Sequence, residues 1–462
     1  MNLRSAPAAL LLAASCAIAA PGTSDRVYTA DQNSNTVSVI DASSNALLGQ
    51  IRLGNPRPDI LSPLYKGEIN VHGLGFSPDH RTLVAISTGS NSVTFIDTAT
   101  SKVKGVAYVG RSPHEGFFTA DGKAVWVVVR GESHISVIDP ATFRETGRIE
   151  TAPGPGMVLF HPDNKLAFVV SSFTPQLDVV DVAARKVVKS IPVTSPFSPF
   201  LQLTPDGTEL WMTHKDVGKV TRIDLQSLQV KEVIETGLIT NHLAFARTPR
   251  GLLAYVTVGG ENVVKVFTTG EHARLVNTIP VGALPHGIWS ADDGSRVYVG
   301  LENADAVDVI ETSSDKVVAR VPVGQAPQAL VFVSNAAGPG DPKANLVARD
   351  NAAPVNVSLR SSRGSNAYGF VVARNLGLVD ALEVSLFMLK PETAYDVYVD
   401  PGRRPVATFK TNPKGMANGT AIGPMREVVA RLSAAPITPS TIYVVEHGTQ
   451  ADAKSAVLVG ST

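Results

Sequence analysis

The first two thirds of the chain alternate short apolar stretches, rich in valine and isoleucine, with polar turns. One unit holds the stretches 115–119, 124–129, 135–139 and 145–150, separated by Ala-Asp-Gly, Arg-Gly-Glu-Ser and Asp-Pro-Ala-Thr. Such breaks favour turns, and short runs of β-branched and apolar residues favour strands. The pattern therefore predicts units of four short antiparallel strands.

The third stretch of each unit repeats along the chain with a regular spacing. Its copies end 56, 42, 42, 43, 44 and 43 residues apart, and the first interval is long because Pro56–Ile69 holds an extra loop. Four strands in a period of this length are typical of a propeller blade. The sequence thus predicts an all-β fold with a seven-bladed β-propeller over residues 25–334. The seven copies are Thr36–Asp41, Ser92–Asp97, His134–Asp139, Gln176–Asp181, Lys219–Asp224, Val263–Thr268 and Ala306–Glu311.

The two ends of the repeat array predict how the ring closes. The first copy begins directly at its second strand, Arg26–Ala30, whereas a spare first strand, Gln328–Val333, comes after the seventh copy. We expect the spare strand to complete the first blade, because this exchange leaves no unpaired sheet edge at the seam.

These repeats resemble those of the YVTN family of β-propeller proteins. The resemblance rests on segments such as Gly282–Gly294 and Thr36–Asp41, and it covers roughly residues 25–334. It implies the propeller fold, and it implies kinship with surface-layer and periplasmic proteins that have binding or unassigned roles. Related propellers are lactonases or carry metal or haem-type cofactors, so the resemblance does not choose an activity.

A different texture begins after the repeats. Residues 335–345 are rich in glycine and proline and are predicted to be a linker, and residues 346–462 are predicted to form a small C-terminal β-sandwich-like domain. Its predicted strands lack the repeat period. They are Val355–Arg360, Gly369–Arg374, Leu382–Leu389, Ala394–Val399, Val406–Thr411, Thr441–Glu446 and Val457–Val459.

The N-terminus has the composition of an export signal. Residues 1–19 combine Arg4, an apolar stretch and an A-x-A site that ends at Ala19, which predicts cleavage there and a periplasmic or extracellular protein. A lipid anchor at Cys16 is the less favoured alternative. Because Cys16 is the only cysteine, the cleaved chain has no thiol, and this excludes disulfides, thiolate zinc sites, iron–sulfur clusters and blue-copper centres.

Charge narrows the range of partners. Lys and Arg number 41, as do Asp and Glu, and no basic run stands out, which argues against nucleic acid. No segment after the leader is long and apolar enough to predict a transmembrane helix. We expect the partner to be a small molecule or a protein at one face of the propeller.

Histidines provide the most distinctive chemistry. Aligning the blades places residues 72, 114, 156, 199, 242, 286 and 328 at one position, where the innermost strand begins, and they read His, His, Gly, Pro, His, His and Gln. The innermost strands line the central channel. The face at which these strands begin, called here the top face, also carries the loops that join second and third strands, so several imidazoles are expected at one channel mouth.

Imidazole is a common ligand of copper and zinc, so this mouth is a candidate metal site. The candidate ligands are His72, His114, His134, His214, His242 and His286, with His72, His114 and His134 as one group from adjacent blades. A structural role, in which each ring hydrogen-bonds the backbone of the next blade, remains an open alternative.

Three functions compete at this stage. The leading hypothesis is an exported protein that binds a ligand or partner at the top face through Asp31, Arg130, Glu302 and Gln328. The second is a metal-dependent oxidoreductase, with copper or a similar metal in the histidine cluster. The third is a lactonase-like hydrolase, which needs a base and a carbonyl-polarising group, with Asp31, Arg130 and Glu302 as the nearest candidates. No standard catalytic motif favours any of them.

Overall fold

The computed structural model describes residues 20–55, 67–351, 353–376, 380–399, 404–423 and 441–461. Regular structure in these ranges is entirely β-strand, and they contain no helix of the length and hydropathy needed to cross a membrane. The predicted leader, Cys16 and most of the Pro56–Ile69 loop lie outside the described residues.

Residues 26–333 form a seven-bladed β-propeller, as predicted from the repeats. Blade 1 contains β1 (Arg26–Asp31), β2 (Thr36–Asp41) and β3 (Ala46–Arg52). Blade 2 contains β4 (Val71–Phe76), β5 (Thr82–Ser87), β6 (Ser92–Asp97) and β7 (Lys102–Tyr108). Blade 3 contains β8 (Pro113–Phe118), β9 (Val125–Val129), β10 (His134–Asp139) and β11 (Arg144–Glu150). Blade 4 contains β12 (Pro155–Phe160), β13 (Leu166–Ser171), β14 (Gln176–Asp181) and β15 (Lys186–Pro192).

The remaining blades have the same pattern. Blade 5 contains β16 (Leu201–Leu203), β17 (Glu209–His214), β18 (Lys219–Asp224) and β19 (Gln229–Glu235). Blade 6 contains β20 (Thr240–Thr248), β21 (Gly251–Val258), β22 (Val263–Thr268) and β23 (Leu275–Pro280). Blade 7 contains β24 (Pro285–Ser290), β25 (Arg296–Leu301), β26 (Ala306–Glu311) and β27 (Lys316–Pro322), and β28 (Pro327–Val333) comes after it.

The ring closes by strand exchange, and this prediction is confirmed. The sheet of blade 1 has the order β28-β1-β2-β3, so the last propeller strand supplies the innermost strand of the first blade. Arg26 pairs with Val333 and Val27 with Phe332 in antiparallel register. The backbone groups at the edge of β1 are thereby paired, which removes an edge that would otherwise favour aggregation.

Large side chains on the second strands fill the space between neighbouring blades. Trp126 of blade 3 packs edge-on against Phe160 of blade 4 at 4.9 Å between ring centroids. Tyr298 of blade 7 stacks on Phe332 of β28 at 5.9 Å, so an aromatic pair also closes the seam. Such rings bury large areas and favour offset or edge-to-face contacts, which fixes the angle between blades.

Six of the seven innermost strands have an irregularity at the predicted histidine ring. In blade 3, Pro113 pairs with Val129 and Gly116 with Val127, so His114 and Glu115 together lie opposite a single residue. The innermost strands of blades 1, 2, 4, 6 and 7 have register shifts at the equivalent position. A bulge re-aims side chains that regular alternation would place on opposite sides of the sheet.

The C-terminal region forms one eight-stranded antiparallel sheet in the order β33-β32-β35-β36-β29-β30-β31-β34. It curls into a nearly closed barrel, since Phe409 of β33 packs against Gly419 of β34. The all-β prediction is confirmed, with a single curled sheet in place of a sandwich, and β34 was not predicted. The strands are β29 (Val355–Ser361), β30 (Tyr368–Asn375), β31 (Asp380–Phe387), β32 (Ala394–Val399), β33 (Ala407–Lys410), β34 (Ala417–Gly423), β35 (Thr441–Glu446) and β36 (Leu458–Ser461).

The segment between the two domains packs along the propeller. Gln50 of β3 and Val347 exchange two backbone hydrogen bonds, each 2.9 Å long. Further on, the Arg349 side chain donates to the carbonyl oxygen of Val323 at 2.6 Å. These contacts guide the chain up the outside of blade 1 to the top face, where the C-terminal barrel docks.

Arg374 of β30 is the centre of the docking interface. Its guanidinium is fully buried and lies 3.1 Å from Asp305 of blade 7, and it also pairs with Glu383 of the barrel. It donates a further hydrogen bond to the carbonyl oxygen of Glu302 at 2.7 Å. A buried charge with this many partners fixes the position of the barrel over blade 7.

Candidate functional site

A cavity of about 420 Å³ lies between the top face of the propeller and the C-terminal barrel. Its propeller wall includes Gln32, Lys215 and Glu302, and its barrel wall includes Phe370 and Phe387. This size falls within the range of pockets that hold small molecules. The barrel therefore covers part of the propeller face and makes a partly enclosed site over blades 5, 6, 7 and 1.

Three charged or polar residues of the propeller wall come from one equivalent position in their blades. The residue directly after the second strand points into the top-face opening in blades 1, 5 and 7, and these three residues are Gln32, Lys215 and Glu302. Arg130 occupies the same position in blade 3. The full set is Gln32, Thr88, Arg130, Ser172, Lys215, Gly259 and Glu302.

Asp31 was predicted to bind a ligand at the top face and His214 to bind a metal at the channel mouth, but the structure turns both side chains into their blades. Both are the last residues of their strands, one position before this set, so alternation turns them into the blade. Asp31 accepts hydrogen bonds of 2.7–2.9 Å from Thr29, Thr36 and Ser38. Burial raises its pKa to about 7, and the three hydroxyl hydrogen bonds oppose this rise. Its oxygens are occupied inside blade 1.

His214 is likewise held within its blade. Its Nδ1 lies 2.9 Å from the Ser198 hydroxyl and its Nε2 lies 2.7 Å from the Thr221 hydroxyl. Burial lowers its pKa to about 4. Both ring nitrogens of His214 therefore have partners within the blade, whereas the neighbouring Lys215 lines the cavity. Arg130 and Glu302 each directly follow a second strand, and the residue at this position in blade 5 is Lys215. An alignment of the blades at the strand ends would therefore have identified Lys215 in place of His214.

His72 and His114, predicted as metal ligands, do come together. Their Nε2 atoms lie 2.9 Å apart. His72 Nδ1 lies 2.6 Å from the amide oxygen of Gln32, which connects this pair to the cavity, and His114 Nδ1 lies 2.6 Å from the carbonyl oxygen of Gly156. Both rings are almost fully buried.

Glu115 completes this group and was missed by the sequence analysis. Its ligand oxygen and the nitrogens of His72 and His114 all lie within 4.8 Å of one another, the only such group of three found in the described part of the chain. Strand alternation places consecutive residues on opposite sides, so Glu115 was not expected beside His114; the bulge accounts for the difference.

His134 does not join the group, contrary to the prediction. It begins β10, the third strand of blade 3, and its Nδ1 lies 3.3 Å from Glu132. Its Nε2 is 3.4 Å from the Ser136 hydroxyl. The third strand lies farther from the channel than the innermost strand, which explains why His134 and His114 are separated.

His242 and His286 form a second pair on the other side of the channel, with ring centroids 4.7 Å apart. His242 also stacks on Phe200 at 4.0 Å. His286 Nδ1 donates to the carbonyl oxygen of Gln328 at 2.9 Å. Gln328, which was predicted to bind the ligand, thus uses its backbone to connect blade 1 to blade 7. The alternative of structural hydrogen bonding between blades thus describes one contact of His286 and one of His114.

Burial governs the charge state of the channel mouth. It lowers the pKa of His72, His114 and His242 well below the usual value, and the pKa of His286 to about 3; nearby Arg130 or Lys215 adds to each of these shifts. Burial raises the pKa of Glu115, and Arg130 opposes that rise. The imidazoles are therefore neutral at pH 7 and able to donate lone pairs.

Two cations accompany these imidazoles. Burial lowers the pKa of Lys215 and Arg130, while Glu302 opposes the shift at Lys215 and Glu115 opposes it at Arg130. Within the described residues, neither cationic group makes a hydrogen bond or an ion pair at contact distance. Each cation thus has a carboxylate in its vicinity but no direct partner, so its N–H donors remain available to a ligand.

Comparison with known proteins identifies the fold and nothing narrower. No protein-family model and no curated protein matches the chain. Kuenenia stuttgartiensis hydrazine synthase has 22% identity and a TM-score of 0.51, over 61% of this chain and 94% of that chain. A functionally unknown Desulfotomaculum acetoxidans protein has 14% identity and a TM-score of 0.57, over 67% and 99%.

A third similar structure is the periplasmic gluconolactonase of Pseudomonas aeruginosa, with 17% identity and a TM-score of 0.54, over 67% of this chain and 99% of that chain. Identities this low do not transfer an activity, because one fold serves many functions. These comparisons leave about a third or more of this chain uncovered. They establish that the chain has the β-propeller fold.

Proposed function

We propose that this protein is an exported binding protein whose ligand is a small hydroxylated carboxylate, held in the cavity between the propeller and the C-terminal barrel. The observation that carries the proposal is Lys215, which lines the cavity and makes no side-chain hydrogen bond or ion pair at contact distance among the described residues, with Glu302 on the same wall as a nearby carboxylate. Such a cation favours a ligand that brings its own negative charge.

The remaining lining supports a ligand with both polar and apolar sides. Amide side chains surround the cavity and offer donors and acceptors to hydroxyl groups, whereas Phe197, Phe370 and Phe387 provide apolar surface. A sugar acid combines these properties in a molecule of suitable size. The lining amides are Gln32, Asn33, Asn303, Asn412 and Asn418.

Export rests on the composition of residues 1–19, which matches a cleavable leader. The lactonase-like alternative has weaker support, because Asp31, its nearest candidate base, is enclosed by three hydroxyl groups inside blade 1. A general base must be able to reach the proton that it removes.

Calorimetric titration of the purified full-length protein with gluconate, galacturonate and citrate tests the proposal. We expect at least one of the three to bind, and we expect Lys215→Met to weaken that binding about tenfold or more, as loss of a charge-assisted contact should.

Lys219→Met is the matched control. Lys219 lies on the same hairpin, pairs with Glu235 at 2.8 Å and does not line the cavity, so its replacement should leave binding unchanged. Failure of all three acids to bind, or equal losses in the two lysine variants, would contradict the proposal.

A further inference from the structure

The imidazoles of His72 and His114 face one another at the channel mouth through their Nε2 atoms. His114 must donate its Nδ1 proton to Gly156, because a carbonyl oxygen only accepts, so its Nε2 carries a lone pair. The amide oxygen of Gln32 holds His72 in the same tautomer. The two Nε2 atoms are 2.9 Å apart, and neither neutral ring has a proton to offer the other.

Facing lone pairs at this distance repel unless a cation is shared between them. Metal-bound histidines commonly donate their other ring N–H to a carbonyl group or another oxygen acceptor, and both rings are arranged in this way. Zinc–nitrogen bonds are about 2 Å long. Two nitrogens 2.9 Å apart can therefore bind adjacent positions on one ion.

Glu115 supplies a third ligand of the appropriate kind. It is buried, and the bulge in β8 brings it beside His114. Gly73 on the neighbouring innermost strand makes room for it, because a Cβ atom at Gly73 would lie only 2.7 Å from Glu115 Oε2. Two imidazoles and one carboxylate form the ligand set of several zinc hydrolases and of non-haem iron oxygenases.

We infer that His72, His114 and Glu115 bind one divalent first-row metal ion, such as Zn²⁺ or Fe²⁺, at the channel mouth. The positive charges of Arg130 and Lys215 oppose a further cation, and the carboxylates of Glu115 and Glu302 offset them. We expect a reversible site that a chelator empties. None of the three ligands lines the cavity, so this inference stands apart from the proposed ligand.

Zinc titration of chelator-treated full-length protein, monitored by calorimetry, tests the inference. The wild-type protein should bind one Zn²⁺ per chain. The nearly isosteric Glu115→Gln variant should bind zinc about tenfold more weakly, and His72→Gln about a hundredfold more weakly. His242→Gln and His286→Gln are matched controls on the same ring and should bind zinc like the wild type.

A second readout separates ligation from stability. The absorption spectrum of the Co²⁺-loaded protein should change in Glu115→Gln and remain unchanged in His286→Gln. Circular dichroism checks folding, and His72→Gln decides the matter if Glu115→Gln misfolds. Lack of zinc binding by the wild type would overturn the inference. The short distance between the two Nε2 atoms would then be explained by a proton shared between the rings. Equal losses in His72→Gln and His242→Gln would also overturn it.

Titration of the metal-free protein with the three hydroxy acids keeps the two proposals separate. Loss of zinc binding with retained acid binding would overturn only the metal site. Retained zinc binding without acid binding would overturn only the proposed ligand.

Discussion

The two imidazole pairs of the channel mouth occupy equivalent positions on the ring and differ in the residues next to each histidine. In blades 2 and 3, Gly73 leaves space that the carboxylate of Glu115 fills. In blades 6 and 7, the residues after the histidines are Leu243, which packs in the core, and Gly287. The first pair therefore has a carboxylate beside it, whereas the second pair has aromatic stacking.

Coverage by the C-terminal barrel divides the mouth in the same way. The cavity is lined from blades 5, 6, 7 and 1, so the barrel covers the side that holds His242 and His286. The His72 pair touches this cavity only through Gln32. The repeated blades thus supply equivalent positions around the channel mouth. Residues that differ between blades, together with the added C-terminal barrel, give the His72–His114 side and the His242–His286 side different chemistry.

Undocking the C-terminal barrel from the side of His242 and His286 should have the largest effect on stability and ligand binding. Arg374→Met removes the buried guanidinium and leaves Asp305 and Glu383 without their partner, which should destabilise docking by about 3–5 kcal/mol. We expect earlier proteolysis within residues 335–351 and loss of hydroxy-acid binding, with zinc binding retained. Loss of both binding activities would show that the two sides are not independent.

A pair of glycine substitutions compares the two sides directly. A Cβ at Gly73 would overlap the carbonyl oxygen of His114, and one at Gly287 would lie 2.5 Å from that of Gln328. Both alanine variants should therefore lose about 1–3 kcal/mol of stability in urea unfolding. Only Gly73→Ala should also weaken zinc binding, because its methyl group displaces Glu115. Equal zinc affinity in the two variants would argue against Glu115 as a ligand.

Acid should lower the free energy of unfolding through His286. The folded pKa of His286, about 3, is below the unfolded value, so the unfolded chain binds the extra proton and stability falls as the pH drops through 6.5. His286→Gln keeps a donor for Gln328 and does not titrate. Between pH 7 and pH 5, the variant should lose about 2 kcal/mol less than the wild type in chelator-containing buffer. Parallel pH profiles would contradict the buried, neutral state.

The smallest effect is expected at the rim of the covered side. Lys414 of the barrel pairs with Asp216 of blade 5 at 2.8 Å, and its side chain is 57% exposed. Water screens such a pair, so Lys414→Ala should cost less than about 1 kcal/mol and leave proteolysis of residues 335–351 unchanged. A loss as large as that of Arg374→Met would mean that the rim, and not the buried pair, holds the barrel.

The sequence alone determined the repeat, the number of blades, the strand exchange between β28 and β1, and the ring position of His72, His114, His242 and His286. These features arise from the order of apolar and turn residues, because each blade is built from contacts between strands that are close in sequence. The C-terminal strands were predicted for the same reason, except β34, whose sequence Ala417–Gly423 contains two glycines and little apolar surface.

Only the tertiary structure decided which side chains meet. Glu115 joins His114 because a bulge adds a residue opposite Val128, and register between strands is not visible in one strand's sequence. Lys215 reaches the cavity because it is the first residue after β17, whereas His214, the last residue of that strand, points into the blade. The cavity itself depends on Arg374 meeting Asp305, 69 residues away, and such long-range charge pairing results from docking rather than from local pattern.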